Sequence, residues 1–291
     1  MSVARPRVLL GLIGAGIQQS LSPALHEAEG DAHGLRIQYR ILDLDALALG
    51  ESALPRLLEA TRLAGFAGVN VTFPCKQAVI PLLDGLSDDA RAMNAVNTVV
   101  FRDGRATGHN TDASGFAAGL RRGLPDASLE RVALIGAGGA GSAVAHAMLA
   151  LGTRELRIVD ASSERADELV RGAGERFADR TIVSVPGARD ALAGAHGVIN
   201  ATPVGMAKLP GTPIDPTLLD ASQWVADCVY RPIDTALLAA ARGRGCRTLD
   251  GGGMCVGQAA DAFRLFTGLE PDATRMGRTF AALIHAERAA G

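Results

Sequence analysis

Gly136, Gly138 and Gly141 carry the plainest chemistry in this sequence. The run Val132-Ala133-Leu134-Ile135 ahead of them is short, apolar and of strand propensity, and the Ala-rich segment behind them reads as a helix. Strand, tight turn and helix in that order are the context a dinucleotide-binding fingerprint requires. Glycine permits the turn and lets a pyrophosphate approach the backbone, while the helix N-terminus offers N–H groups and the positive end of its dipole. An acid for the ribose hydroxyls is expected about 20 positions on, and Asp160 closes the next apolar run, which starts at Glu155. Gly139 and Ala140 belong to the same cofactor set. So does Thr202, in Asn200-Ala-Thr202-Pro203-x-Gly205-Met206, which follows a strand at the end where a nucleotide should lie. A Gly-rich turn without a ligand is the competing reading.

Other polar groups are open to two readings each. Ser20 and Ser22, followed by Pro23, fit a loop presenting hydroxyls to a small ligand, or an ordinary helix start with Ser at the cap. Lys76 lies just past an apolar strand stopped by Pro74, where a solvated lysine is the ordinary case. Asp112 closes the turn Gly108-His109-Asn110-Thr111 ahead of an apolar helix around Phe116 and Leu120, where an N-cap explains it. Gly14-Ala-Gly16 imitates the dinucleotide motif, but no third glycine follows at the right spacing and Pro23 interrupts. His26, His109 and His146 are isolated, and Cys75, Cys228, Cys246 and Cys255 form no CxxC pair. No metal site is expected, and the cysteine usage suits a reducing cytoplasm.

The elements that must position these groups follow from periodicity. In the N-terminal part, strands are expected at Val8–Ile13, Ile37–Leu44, Gly68–Phe73 and Asn94–Phe101. Helices are expected at Ala53–Leu63 and Gln77–Leu83. From Arg131 strands and helices alternate: Val132–Ile135, Leu156–Asp160, Thr181–Val185, Val198–Ala201, Trp224–Tyr230 and Arg247–Asp250 are the strands. Six strands with intervening helices describe a doubly wound parallel sheet. Asp250–Met254 reads as a turn, and Gln258–Phe266 and Pro271–Arg288 as helices. The fold class expected is α/β in two domains, an N-terminal α/β domain and a doubly wound Rossmann-type nucleotide domain. The change of rhythm alone puts the border between them within 113–130.

Composition narrows the partners. At 291 residues the length suggests about two domains. With 48% hydrophobic and 21% charged residues a packed core is expected rather than disorder. A formal charge of −2 without a Lys/Arg cluster argues against nucleic acid. Arg5 and Arg7 precede an apolar run, but Gln18, Gln19 and Ser20 follow it at once, so a buried first strand is expected rather than a signal peptide. No run approaches membrane-spanning length.

Seven short motifs then combine in order. They are Ser20-x-Ser22-Pro23, Asn70-Val-Thr72-x-Pro74-x-Lys76, Ala95-Val-Asn97-Thr98, Gly108-x-Asn110-Thr111-Asp112, the Gly136–Gly141 turn, Asn200-Ala-Thr202-x-x-Gly205-Met206 and Asp250-Gly251-x-x-Met254-x-x-x-Gln258. Together they resemble the shikimate/quinate dehydrogenase family over nearly the whole chain, with His-Glu-Ala-Glu-Gly, Gly-His-Asn-Thr-Asp and Asp-Ala-Phe-Arg-Leu-Phe-Thr-Gly-Leu-Glu-Pro resembling its NAD-using branch. The resemblance implies a substrate domain of 1–115 plus 259–291, a nucleotide domain of 116–258, and an active site in the cleft between them. It makes Lys76 and Asp112 the catalytic pair and assigns Ser20, Ser22, Thr72, Asn97, Tyr230 and Gln258 to the substrate. Gly251 joins the cofactor set, lining the nicotinamide side with Tyr230. NADP-dependent members typically carry Asn-Arg-Thr after the second nucleotide-domain strand, where this chain has Asp160-Ala161-Ser162. NAD is therefore expected over NADP; Arg165, five residues on, is near enough to reach back, but a solvated helix face is the expectation for it. The partner implied is a small carboxylate-bearing alcohol, in a cytoplasmic enzyme, monomeric or homodimeric. An amino-shikimate or other cyclic polyol acid as substrate, or a non-catalytic metabolite sensor, are the alternatives.

Overall fold

The computed structural model describes residues 5–290. It divides into two compact units, one of the residues up to Thr111 together with those from Val256, the other Asp112–Cys255. The chain thus leaves its first unit once and returns to it.

The first unit opens with β1 (Arg7–Gly14), α1 (Ser22–Ala32) and β2 (Arg36–Asp43), followed by α2 (Leu54–Leu63) and β3 (Gly68–Val71). Then come β4 (Gly85–Leu86), α3 (Asp88–Met93), β5 (Thr98–Arg102) and β6 (Arg105–His109). Its sheet runs β2-β1-β3-β5-β6-β4. β1 is parallel to both neighbours and apolar throughout its centre, as a strand covered on both faces must be. β3, β5 and β6 pair antiparallel. One face is filled by Ile13, Leu54, Leu58, Val69, Val71 and Val99. The other is closed from the far end of the chain by Phe263 and Phe266, which pack on Leu10, Leu12, Ile37 and Tyr39. Burying each such phenylalanine contributes about 1.5–3 kcal/mol.

The second unit starts at α4 (Asp112–Gly123) and continues with β7 (Arg131–Ile135), α5 (Gly139–Ala150), β8 (Glu155–Val159), α6 (Ser163–Arg176) and β9 (Thr181–Ser184). α7 (Ala188–Leu192), β10 (Gly197–Asn200), β11 (Trp224–Asp227), α8 (Ala236–Gly243) and β12 (Arg247–Leu249) complete it. α9 (Gly252–Thr267) carries the chain back to the first unit, and α10 (Ala273–Ala290) follows. The sheet order is β12-β11-β10-β7-β8-β9, parallel throughout. Strand order reverses between β7 and β10, so the crevice for a nucleotide lies at the carboxyl ends of those two strands.

Several elements differ from expectation. No α-helix spans 77–83; turns lead into a short 3-10 segment, Ile80–Leu82. Pro81 removes an N–H and disfavours helical geometry at Ile80, which ends the helix before it can form. The strand expected from Asn94 begins at Thr98, because Asn94 terminates α3 in the left-handed region at φ 46°. β6 replaces the front of the expected polar turn. It is joined to β5 through Asp103 and Gly104, both at positive φ, an Asp-Gly hairpin signal present in the sequence. β11 stops at Asp227 rather than Tyr230, and α9 starts at Gly252 rather than Gln258.

Candidate active site

The glycine turn is built as its spacing demands. Gly136 has φ +106°, and a Cβ there would also lie 3.0 Å from the carbonyl oxygen of Ala201, so only glycine fits. A Cβ on Gly141 would stand 2.0 Å from the carbonyl oxygen of Gly136, so the third glycine lets α5 start against the turn. Gly138 differs: it precedes α5 with ordinary extended angles, and a Cβ would meet no protein atom within 4 Å. That open position beside the N–H groups of Gly139, Ala140 and Gly141 has the room and the donors that a pyrophosphate needs.

Asp160 follows β8 and holds this turn. One oxygen accepts from the Ala137 N–H at 2.7 Å; the other accepts from the Ser162 N–H at 2.8 Å and from the Arg165 guanidinium at 2.8 Å. Burial alone would raise its pKa, but those donors outweigh burial and hold it below the ordinary carboxylate range. Of about four acceptor positions on a carboxylate, three are taken, leaving room for a ribose hydroxyl. Arg165 thus reaches back to Asp160 from the first turn of α6 instead of only facing solvent, as its place in the sequence suggested.

Across the switch point, Thr202 lies against the glycine turn, its methyl 2.9 Å from where a Gly136 Cβ would stand. Thr202 is fixed by Asn200, whose Oδ1 accepts from the Thr202 N–H at 2.9 Å and its hydroxyl at 2.7 Å. Gly251 packs on the segment after β11: a Cβ there would lie 2.7 Å from the Cys228 carbonyl. Tyr230 lies on that same segment. These residues fit a dinucleotide laid along the carboxyl edge of the sheet.

In the first unit, Ser20 and Ser22 do come together. Their hydroxyls are 3.2 Å apart, and Ser20 Oγ accepts from the Ser22 N–H at 3.2 Å. The helix is not capped by a serine, since Leu21 occupies the N-cap. Asn97 is buried; it donates to Gln258 Oε1 at 3.2 Å and to the Thr111 hydroxyl at 2.9 Å, and accepts from the Thr111 N–H at 2.8 Å. Thr72 extends from the end of β3, its methyl filling the space beside Gly14. Lys76 follows on the turn after β3, its carbonyl accepting from the Val96 N–H at 2.9 Å. Asp112 is the first residue of α4 and is buried; desolvation and its charge together push the Cys255 thiol up to about 12. Lys76 belongs to the first unit and Asp112 opens the second.

Three supports escaped the sequence reading. Asp43 ends β2 and accepts from the N–H groups of Gly16 and Ile17 at 2.8 and 3.0 Å, which closes the Gly14-Ala-Gly16 turn with protein. Its place at the end of a second strand, like Asp160, was the available signal. Tyr39 donates to Asn70 at 2.7 Å, and Asn70 donates to Thr98 and the Asn97 carbonyl, bracing Asn97 from below. His26 stacks on Tyr39 at 4.9 Å and its Nδ1 lies 2.9 Å from the Ser22 carbonyl. Among the described residues, no group of three or more His, Cys, Asp or Glu is placed to hold a metal ion, and no helix is long and apolar enough to cross a membrane.

A parallel sheet with this switch point, glycine turn and terminal acid defines a nucleotide-binding α/β protein of the dehydrogenase class. Residues 12–99 match the family model described as the shikimate dehydrogenase substrate binding domain. The chain is 56% identical over 270 residues to a shikimate dehydrogenase (NADP(+)) of Streptomyces avermitilis, covering 92% of this chain and 93% of that one. It is 50% identical over 280 residues to a quinate/shikimate dehydrogenase (NAD(+)) of Corynebacterium efficiens, covering 95% and 98%. A solved structure of quinate dehydrogenase from Corynebacterium glutamicum in complex with NAD superposes with a TM-score of 0.86 at 48% identity, covering 96% of this chain and all of that one (100%). The chain belongs to the shikimate/quinate dehydrogenase family, oxidoreductases that use a nicotinamide dinucleotide.

Proposed function

We propose that this protein is an NAD-preferring dehydrogenase that reversibly oxidises the C3 hydroxyl of shikimate or quinate to the 3-dehydro ketone. The first unit is read as the substrate domain and the second as the nucleotide domain. A bound nicotinamide supplies the hydride acceptor or donor. The residues then have to hold the ring and move one proton. Ser20, Ser22, Thr72, Asn97, Tyr230 and Gln258 are the groups proposed to hold the carboxylate and hydroxyls. Lys76 and Asp112 are the proposed catalytic pair. An amine takes or returns the hydroxyl proton, and a carboxylate orients it and offsets its charge.

Asp160 carries the cofactor reading. A carboxylate accepts bonds from free ribose hydroxyls, whereas beside a 2′-phosphate it repels. Two like charges ~4 Å apart at an effective dielectric of ~20 cost roughly 4 kcal/mol, and a third of that favours NAD about tenfold. Arg165 is the observation on the other side. Paired with Asp160 at 2.8 Å, it offsets part of that repulsion and gives NADP a second route. Relatives named for NADP and for NAD both lie at 50% identity or more, so sequence similarity favours neither.

Steady-state rates with shikimate, quinate and aminoshikimate, each with NAD and NADP, test the whole proposal. The expected result is turnover of shikimate or quinate with a higher kcat/KM for NAD. A higher kcat/KM for NADP would overturn the cofactor assignment, and no turnover with any pair would overturn the enzyme reading.

A further inference from the structure

The second unit contains a buried carboxylate that no role above uses. Asp227 ends β11 and is 2% exposed. Its Oδ1 accepts from Asn200 Nδ2 at 2.9 Å and from the Val229 N–H at 2.9 Å. Its Oδ2 accepts from the Thr235 hydroxyl at 2.7 Å. Each partner is itself fully employed. Asn200, at the end of β10, holds Thr202 through Oδ1 and donates its other amide hydrogen to the Val204 carbonyl at 3.0 Å. Thr235 caps α8 by accepting from the Leu238 N–H. Gly205, at φ +108°, brings the same loop so close that a Cβ would lie 3.8 Å from Asp227 Oδ2.

Three segments therefore converge on one side chain: the loop after β10 with Thr202, the segment after β11 with Tyr230, and the start of α8. The turn at Gly251 is packed on the second of them, against Cys228 and Val229. The ladder reaches only the first residue after each strand, Ala201 donating to the Ile135 carbonyl and Cys228 to the Asn200 carbonyl. A buried carboxylate is a costly way to brace them, because it loses water and regains only the bonds that protein supplies. The balance is visible here: desolvation outweighs the three bonds and raises the pKa of Asp227. The group is kept at a position that an apolar residue would fill at lower cost, on the edge of the sheet that receives the nucleotide.

We propose that Asp227 is a positioning residue for the cofactor, setting the loops of Thr202, Tyr230 and Gly251 through Asn200, Val229 and Thr235. It acts through its neighbours, as the outer partners of metal ligands do. The proposal rests on the reading of this chain as a nicotinamide-dependent dehydrogenase.

The test uses the full chain and NADH as the probe, followed by fluorescence titration without substrate, with KM values for NAD and shikimate beside it. Asp227→Ala leaves Asn200 and Thr235 without their acceptor and is expected to weaken NADH binding about tenfold. KM for NAD rises in step, while KM for shikimate rises less, since Tyr230 is the one residue assigned to the substrate that lies on these loops. Asp227→Asn keeps the acceptor for Asn200 and Val229 and is expected to bind NADH within about threefold of wild type. Thr235→Val removes one bond, and about a threefold loss is expected. A folded Asp227→Ala protein that binds NADH like wild type would overturn the proposal. Equal rises in both KM values would overturn it as well, since they mark a general loss of structure. If Asp227→Ala does not fold, unchanged NADH affinity in Thr235→Val decides against it. A wild-type chain that binds neither NADH nor NADPH would overturn the dehydrogenase reading itself.

Discussion

Lys76 sits on the turn after β3, its carbonyl accepting from the Val96 N–H, and its amine is the group assigned to the hydroxyl proton. Lys76→Ala is expected to lower turnover by about 10²–10⁴-fold, the range of a lost general acid–base group. NADH binding should stay within about twofold, because Lys76 is assigned to the substrate's proton and not to the nucleotide. Near-normal turnover in the variant would remove Lys76 from the mechanism. Arg165 poses a separate question of specificity. Its guanidinium is the one cation seen to pair with Asp160 among the described residues. Arg165→Ala leaves the carboxylate facing a 2′-phosphate alone. The ratio of kcat/KM for NAD to that for NADP should rise about fivefold, the size of a partly solvated charge effect. A ratio that falls would show that Arg165 serves NAD and not NADP.

At the scale of elements, the glycine turn separates a folding requirement from a binding one. Gly141→Ala places a methyl against the Gly136 carbonyl, so β7 and α5 cannot keep their junction. Both stability and NADH binding should fall. Gly138→Ala meets no protein atom and keeps an allowed φ of −78°, so the unfolding free energy should change by only about 0.5 kcal/mol. Its methyl takes the space left for a pyrophosphate, and NADH affinity should fall at least tenfold. Urea unfolding and NADH titration on the two variants read the difference. Retained NADH binding in Gly138→Ala would place the pyrophosphate elsewhere. The return of the chain is also held by an identifiable element contact. Glu29 of α1, fully buried, accepts from the Arg275 guanidinium and from the Asp272 N–H, which anchors the start of α10.

For the whole molecule, acid stability carries the signature of His26. The ring is buried, its Nε2 has no hydrogen-bond partner among the described residues, and desolvation lowers its pKa from 6.5 to about 4. The unfolded chain therefore binds a proton that the folded one refuses. The contribution of His26 is complete above pH 6.5 and is lost as pH falls toward 4, about 3 kcal/mol in all. His109, also lowered by burial, adds in the same direction. Glu29, Asp43 and Glu155 are held low by their donors against the raising effect of burial. Their contribution is lost only as pH falls below the usual carboxylate range of about 4. Urea unfolding of His26→Phe should show a shallower decline between pH 6.5 and 4.5, with the wild-type slope unchanged below that window. An identical decline in variant and wild type would show that His26 is not the group that charges.

What the residues determined alone is local. The apolar runs and the glycines at 136, 138 and 141 specify strand, turn and helix through neighbours only a few positions apart, and the parallel sheet followed from their repetition. The Asp-Gly hairpin at 103–104 and the Pro81 stop were equally local signals, legible from the same chemistry. The seven ordered motifs were enough to point to the family. What only the tertiary structure decided is which distant groups share an oxygen or a proton. The Arg165 side chain folds back on Asp160, Asn97 binds both Thr111 and Gln258, and Asp227 gathers three loops, pairings that spacing alone leaves open. Such pairings depend on burial. Once water is excluded nearly every polar atom finds a protein partner, and that partner is set by how elements pack, in the case of Asn97 and Gln258 more than a hundred residues apart.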